Sequence, residues 1–254
     1  MLKRTFLFSL LFCSCNLFAQ NNKTLLAIFP HPDDETVVAE VLMTYATLGY
    51  KVQLMFATDG KDGTRVTKIP AGDSLGNIRK EETRCACKIM GIPEPIFLGI
   101  ERLDTKIGVG RYFREHKRFL DTLKILIPSI RPDIVITFGP DGDTHHSEHI
   151  VTGATVTELL IQEGWVEEYP LYYVAWTKEL GEKAGLGYVH EKYFNVKIDY
   201  SKEDEVKALE AFKCYVTQFT PDEMKEDHEK KTKDLNNYLH FRRFVVQKGL
   251  KNSF

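Results

Sequence analysis

Past residue 19 the chain has only three cysteines, Cys85, Cys87 and Cys214. Three is an odd number, and Cys85 and Cys87 stand two residues apart, where neither a helix nor a strand aims one side chain at the other. At most one disulfide can form, which excludes a cysteine-stapled scaffold, and no pair has the spacing of a cysteine-only zinc site. Positive charge is not in surplus either. The 254 residues carry 34 Lys and Arg against 36 Asp and Glu, a formal charge of −2. A mildly acidic chain lacks the electrostatic footprint of a nucleic-acid binder. Internal repeats, low-complexity tracts and a domain linker are also missing from the sequence.

Long apolar runs are missing too, apart from one at the start. Met1 to Ala19 reads as a secretory leader: Lys3 and Arg4, an apolar stretch from Thr5 to about Phe18, then Ala19 before Gln20. The stretch is short for a membrane span of roughly 20 residues and shows neither strand nor helix period. Leu17 is bulky for the cleavage pattern. A lipoprotein leader acylated on Cys15 is the rival reading, which Phe12 and Cys13 fit poorly. The expectation is an exported protein, periplasmic or secreted, with no stable membrane span. Cleavage after Ala19 removes two cations, leaves 235 residues and takes the formal charge from −2 to −4. That length suits one domain over residues 20–254 with a substantial core.

What is present is an alternation of strands and helices. Leu25 to Phe29 is a short apolar run stopped by Pro30. Glu35 to Leu48 carries a helical stripe of Val38, Val41, Leu42 and Tyr45, closed by Gly49. Lys51 to Thr58 is a second strand, followed by a polar, Gly-rich loop from Lys61 to Asp73. Ser74 can cap a helix running to Gly91. Ile96 to Leu98, Tyr112 to Ile130 and Asp133 to Phe138 continue as strand, helix and strand. Leu171 to Thr177 and Tyr193 to Ile198 read as further strands, and Ser201 to Phe219 as a helix capped by Ser201. Pro221 to Gln247 is charged and reads as helix, with Lys225 to Lys233 a solvated face. Strand–helix repetition predicts an α/β, Rossmann-like three-layer sandwich with a mostly parallel central sheet. Such sheets bind ligands outside the carboxyl ends of their strands, at a switch in strand order. Function is therefore expected in the loops after Phe29, Thr58, Leu98 and Phe138.

Two chemical clusters fall in those loops. Pro30-His31-Pro32-Asp33-Asp34-Glu35 follows the first strand directly. Acids alone would suit a helix's first turn. They do not account for His31 or for the prolines that stiffen the corner on both sides. Neutral imidazole and carboxylate on a rigid corner are ordinary ligands for zinc. Adjacent side chains diverge at a helix start, so one aspartate can ligate while the other stands beside the ion, where a general base for hydrolysis is needed. Spacing leaves open which does which. Asp143-Thr144-His145-His146-Ser147-Glu148-His149 follows the fourth strand and holds three of the eight histidines. Either His146 or His145 can share a helix face with His149. A further histidine from this loop completes a three-ligand site with one position open, the arrangement of catalytic zinc.

These residues carry a resemblance. The chain resembles the LmbE-like, or PIG-L-like, N-acetylglucosaminyl deacetylases, whose signatures are a strand ending in (A/P)-H-P-D-D-E and a later H-x-x-H, here Pro30 to Glu35 and His146 to His149. Thr58-Asp59-Gly60, Arg79 with Glu82, Pro132-Asp133 and the stretch Lys207 to Gln218 extend the likeness over about Leu25 to Gln218. The resemblance implies a zinc ion held by His31, Asp34 and His149, with Asp33 as base. It implies that His146 stabilises the oxyanion or protonates the leaving amine, and that Arg79 contacts substrate. The usual H-P-D-H is His146-Ser147-Glu148-His149 here, so Glu148 is expected to orient His146 with a longer reach. Asp59 is read as a turn residue before Gly60, and His145 as a rim residue.

The expected activity is zinc-dependent hydrolysis of an N-acetyl amide on a small-molecule or glycan substrate. The rivals are a metal-containing carbohydrate-binding protein without catalysis, in which His145 fills the open position, and a magnesium phosphoryl-transfer protein using Asp33 and Asp34. The latter would leave the histidines without a task. The loop from Lys61 to Asp73 and the stretch Ile100 to Arg111 are expected to shape substrate choice.

Overall fold

The computed structural model describes residues 23–252. The leader expected over residues 1–19, Cys15 included, lies outside them. Strand β1, Thr24–Phe29, is buried along its whole length, as an apolar run in a sheet covered on both faces has to be. A tight turn, Asp34–Val38, leads into helix α1, Ala39–Thr47. Then come β2 (Lys51–Phe56), α2 (Asp73–Met90), β3 (Ile96–Phe97), α3 (Val109–Ile130) and β4 (Ile134–Thr137). A kinked turn, α4 (Gly142–His145), precedes α5 (Ser147–Gln162), β5 (Leu171–Ala175) and α6 (Lys178–Ala184). Last are β6 (Val196–Asp199), α7 (Lys202–Phe212), α8 (Pro221–Lys233) and β7 (Tyr238–Arg243).

The seven strands of the described residues join one sheet in the order β3-β2-β1-β4-β5-β7-β6. Neighbours from β3 to β5 are parallel, and β7 runs antiparallel to both β5 and β6. Alternation along β1 splits its side chains between two cores. Leu25, Ala27 and Phe29 pack with Val41, Leu42, Tyr215 and Phe241 on the α1/α7 face. Leu26 and Ile28 pack with Phe119, Leu123, Val156 and Leu159 on the α3/α5 face. Each fully buried Leu, Ile, Val or Phe among these contributes roughly 1.5–3 kcal/mol of hydrophobic stabilisation, so the two cores fix the sheet between its helical layers. The fold is thus the expected three-layer α/β sandwich. Because β1 has β2 on one side and β4 on the other, the strand order reverses between β1 and β4. The loops after those strands open into the crevice there.

The segment read as a charged helix to Gln247 divides in two. Helix α8 stops at Lys233, and β7 inserts between β5 and β6 because Leu239 and Phe241 turn inward on alternate positions. Ser201 caps α7 with a capping box, but the helix ends at Phe212, and residues 213–219 run as turns towards the crevice. Helix α2 starts at Asp73 with Gly72 as its cap, not at Ser74. No described helix is long and apolar enough to cross a membrane.

Candidate active site

The corner after β1 is fixed from both sides. Pro30 O accepts bonds from Thr58 N (2.9 Å) and Thr58 Oγ1 (3.0 Å), which tie it to the end of β2. Asp33 takes φ 100°, a positive value that non-glycine residues rarely adopt. The observed bonds hold it there: Asp33 N donates to Glu35 Oε2 (3.1 Å), and Asp33 O accepts from Thr36 Oγ1 (2.6 Å). Glu35 is wholly buried and receives the hydroxyl of Tyr215. Burial pushes Glu35 up to about 8, against the Tyr215 bond that lowers it.

The twisted backbone parts the two aspartates. Asp34 Oδ2 accepts from His31 N (2.8 Å) and stands 3.3 Å from His31 Nδ1, while Oδ1 stands 3.1 Å from His149 Nε2. Burial works to raise Asp34, but His149 and His31 outweigh it and hold the carboxylate far below its ordinary range. Asp33 lies on the other side, its Oδ2 3.1 Å from Arg79 Nη2. Burial raises Asp33 to about 6 despite Arg79, with Asp34 adding to the rise. The likeness implied that Arg79 contacts substrate. Here the guanidinium is almost wholly buried and donates to Gly60 O (2.6 Å), Pro32 O (2.5 Å) and Asp33, so its first engagement is with the corner itself.

The second cluster arrives on α5. A Cβ on Gly153 would sit 2.2 Å from Phe138 O, so only glycine lets α5 press this closely on the end of β4. One turn earlier, His149 lies flat on Phe138, with ring centroids 4.4 Å apart and planes at 5°. Its Nδ1 is buried with no hydrogen-bond partner among the described residues. His146 caps the same helix: its Nδ1 accepts from Glu148 N at 3.3 Å. An accepting Nδ1 places the ring proton on Nε2, which makes that nitrogen a hydrogen-bond donor. Burial, with His31 and His149 nearby, lowers His146 to about 4, so the ring is neutral at pH 7.

Glu148 departs from its expected role. Its Oε2 lies 3.0 Å from His31 Nε2 and its Oε1 accepts from Leu103 N at 2.7 Å, so the carboxylate orients His31 rather than His146. The reason is geometric: the backbone of Glu148 already occupies His146 Nδ1, and the extra methylene carries the carboxylate on to His31. Burial raises Glu148, but His31, Leu103 N and Arg102 together bring it below its ordinary value. His31, between two carboxylates, rises to about 10 against the opposing effect of burial. Asp59 behaves as a turn residue, accepting from Lys61 N at 3.3 Å, and His145 is exposed.

His31, Asp33, Asp34, Arg79, His146, Glu148 and His149 line one cavity of about 610 Å³, with Arg65, Arg102, Lys106, Gln218 and Phe219 on its outer wall. Ring nitrogens of His31, His146 and His149 lie within 4.8 Å of one another. Donors about 2.0–2.2 Å from a shared zinc ion stand roughly 3.0–3.5 Å apart. The contacts of Asp34 to His31 Nδ1 (3.3 Å) and to His149 Nε2 (3.1 Å) fit that spacing. His31 also has the carboxylate behind its other nitrogen that metal-binding histidines ordinarily have. The donor set therefore fits a divalent ion held by His31, Asp34 and His149, with His146 near enough to contribute.

Sequence reasoning missed three partners of this site. Tyr215 reaches Glu35 from the turn after α7; Trp176 Nε1 donates to the buried Asp143 at 2.6 Å; Arg102 packs behind Glu148. None of the three had a local signal; only Asp143, the acceptor for Trp176, already stood at the head of the histidine cluster.

Fold and site together define a class: an α/β protein with a histidine–carboxylate centre at the switch point of a parallel sheet. Residues 26–160 match the family model described as PIG-L, GlcNAc-PI de-N-acetylase, and the chain belongs to that family. A 1D-myo-inositol 2-acetamido-2-deoxy-alpha-D-glucopyranoside deacetylase of Mycolicibacterium gilvum is 27% identical over 186 residues, 64% of this chain and 62% of the relative. The chain thus spans somewhat less than two thirds of that protein. The N,N'-diacetylchitobiose deacetylase of Pyrococcus horikoshii, solved with an inhibitor, superposes with a TM-score of 0.61 at 22% identity, covering 88% of this chain and 84% of the other. The 4-carboxy-2-hydroxymuconate hydratase of Pseudomonas putida KT2440 superposes equally well, with a TM-score of 0.62 at 15% identity over 91% of this chain and all of the other. One fold serves both a deacetylase and a hydratase, so the reaction has to be argued from the site.

Proposed function

We propose that the protein is an exported, zinc-dependent N-deacetylase that hydrolyses the N-acetyl amide of an N-acetylglucosamine-containing glycan or glycoconjugate. The observation that carries this reading is Asp34 bridging His31 and His149 while Asp33, one residue away, faces the same cavity from the other side. A bound divalent ion supplies Lewis-acid activation of water and of the amide carbonyl.

The chain's own groups do the rest. Asp33 Oδ takes the proton from the attacking water, and the nitrogen-bound acyl carbon becomes tetrahedral. His146 Nε2–H donates to the developing oxyanion, a contribution worth roughly 3–4 kcal/mol for one such donor. The proton held on Asp33 passes to the amide nitrogen as the C–N bond breaks, releasing acetate and a free amine. Arg79 keeps Asp33 aimed at the cavity, and Phe138 keeps the His149 ring in plane.

Export is supported by the leader-like start and by the Cys85–Cys214 disulfide, since such bonds persist in oxidising compartments. A glycan substrate follows from that compartment, and the names of the relatives support the acetamido-sugar. The test is acetate release from N-acetylglucosamine and its short oligosaccharides by zinc-loaded protein, compared with Asp33→Asn. Loss of turnover with retained zinc is expected; full activity in the variant would show that the base is misassigned.

A further inference from the structure

Behind the metal-binding corner lies a residue with four oxygen partners. Arg102, in the loop after β3, is only 13% exposed. Its Nη1 lies 2.6 Å from Asp62 Oδ2, and its Nε and Nη2 form a fork on Asp104 at 2.7 and 2.8 Å. The same Nη2 is 3.8 Å from Glu148 Oε2, the oxygen that holds His31 Nε2. The next residue, Leu103, is fully buried and sends its N–H to the other oxygen of Glu148 at 2.7 Å. Glu148 is thus gripped through both oxygens from the 102–104 loop, by a guanidinium charge on one side and a backbone donor on the other. Asp104 in turn accepts from Lys106 N at 2.8 Å, which fixes the loop that the fork clasps.

We propose that Arg102 is a positioning residue for the metal centre, acting through Glu148 on the orientation and basicity of His31. The inference rests on His31 being a metal ligand. A metal-bound histidine is aimed by whatever its second nitrogen meets, and partners at that remove are worth about 10- to 100-fold in metal affinity. Arg102 suits the task because a planar fork holds Asp104 and still leaves charge directed at Glu148, which a lysine cannot reproduce. Arg102 also lines the cavity, so its positioning role is read as zinc affinity without substrate. Asp62 belongs to the loop over the cavity, so its bond to Nη1 links that loop to the same guanidinium.

The experiment is zinc affinity of the full chain, measured by competition with a chelator and without substrate, for wild type, Arg102→Gln, Glu148→Gln and the double variant. Arg102→Gln is expected to weaken zinc binding about 10-fold or more with its thermal transition still cooperative. The double variant should lose no more than Glu148→Gln alone, because both changes cut one relay. Asp62→Asn, which leaves the Glu148 contact in place, should keep wild-type affinity. Wild-type zinc affinity in Arg102→Gln, or losses that multiply in the double variant, would overturn the proposal. Should Arg102→Gln not fold, Arg102→Lys takes its place in the cycle with a smaller expected loss, and wild-type affinity there overturns the proposal equally. A wild type that binds no zinc instead defeats the reading of His31 as ligand.

Discussion

Arg79 Nη2 and Asp33 Oδ2 stand 3.1 Å apart across 46 residues of sequence. The contact joins α2 to the corner after β1 and makes the arginine a support for the proposed base. Replacing it with lysine keeps the charge but loses the fork that also binds Gly60 O and Pro32 O. The expected outcome for Arg79→Lys is a fall in kcat of up to about 100-fold with KM little changed, since small misplacements of a reacting group cost that much. A rise in KM at constant kcat would assign the arginine to substrate binding instead.

Gly153 sets how closely α5 approaches β4. Adding a methyl group there places it 2.2 Å from Phe138 O, which the helix can relieve only by moving away. Gly153→Ala should cost about 1–3 kcal/mol, as overpacking does, and should weaken metal binding by moving His149. Calorimetry with and without zinc checks both parts; equal stability to wild type would place the helix further from the strand than described.

The Cys85–Cys214 bond closes a loop with a sequence separation of 129 residues. It ties α2 to the turns that carry Tyr215, Thr217 and Gln218. Thr217 bonds Glu82 of α2 through N (2.8 Å) and Oγ1 (2.7 Å), so bond and cross-link brace one wall of the cavity. Loss of such a bond ordinarily costs 2–5 kcal/mol, so Cys85→Ala with Cys214→Ala should lower the melting temperature clearly, and reductant should bring wild type down to match.

Arg65 joins the loop over the cavity to α8 through Glu223, with Nη1–Oε1 at 2.6 Å. The Arg65 bond, helped by Thr220 N, lowers Glu223 from 4.5 to about 2. A depressed carboxylate stabilises the fold above its unfolded value, and that stabilisation fades as pH falls from about 4.5 to 2. The pair is exposed to solvent, so the effect is under about 1 kcal/mol. Glu223→Gln should therefore melt slightly below wild type at neutral pH, with the two curves converging near pH 2; a gap that persists in acid would contradict the assignment.

The parts of the fold legible in sequence were those written in local period. Leu25 to Phe29 and Asp133 to Phe138 are apolar runs whose only stable place is a sheet covered on both faces, and from them the crevice followed. The clusters around His31 and around His146 and His149 were legible because uncommon residues gathered after strand ends stand out, whereas the choice of Asp34 over Asp33 as ligand came from the family likeness and not from spacing. Strand β7 was not, because Tyr238 to Arg243 carries His240 and Arg242 on the face opposite Leu239 and Phe241, ends in Arg243 and sits in a charged neighbourhood. Nor was the end of α7: the turns from 213 to 219 are made by tertiary partners such as Glu35 and Glu82. The partner of Glu148 depended on side-chain reach, which spacing does not encode. Cys85 and Cys214 are neighbours only because α2 and α7 pack side by side.

Two loops distant in sequence, after β1 and after β4, converge on the proposed amide-cleaving centre. The most direct measurement is acetate release from an N-acetylglucosamine oligosaccharide as zinc is titrated into metal-stripped protein. Release that rises with zinc and reaches its plateau at one ion per chain is the predicted result, with none from His149→Ala at the same loading. Acetate production that ignores zinc, or a chain that binds one ion and leaves every acetamido sugar intact, would contradict it.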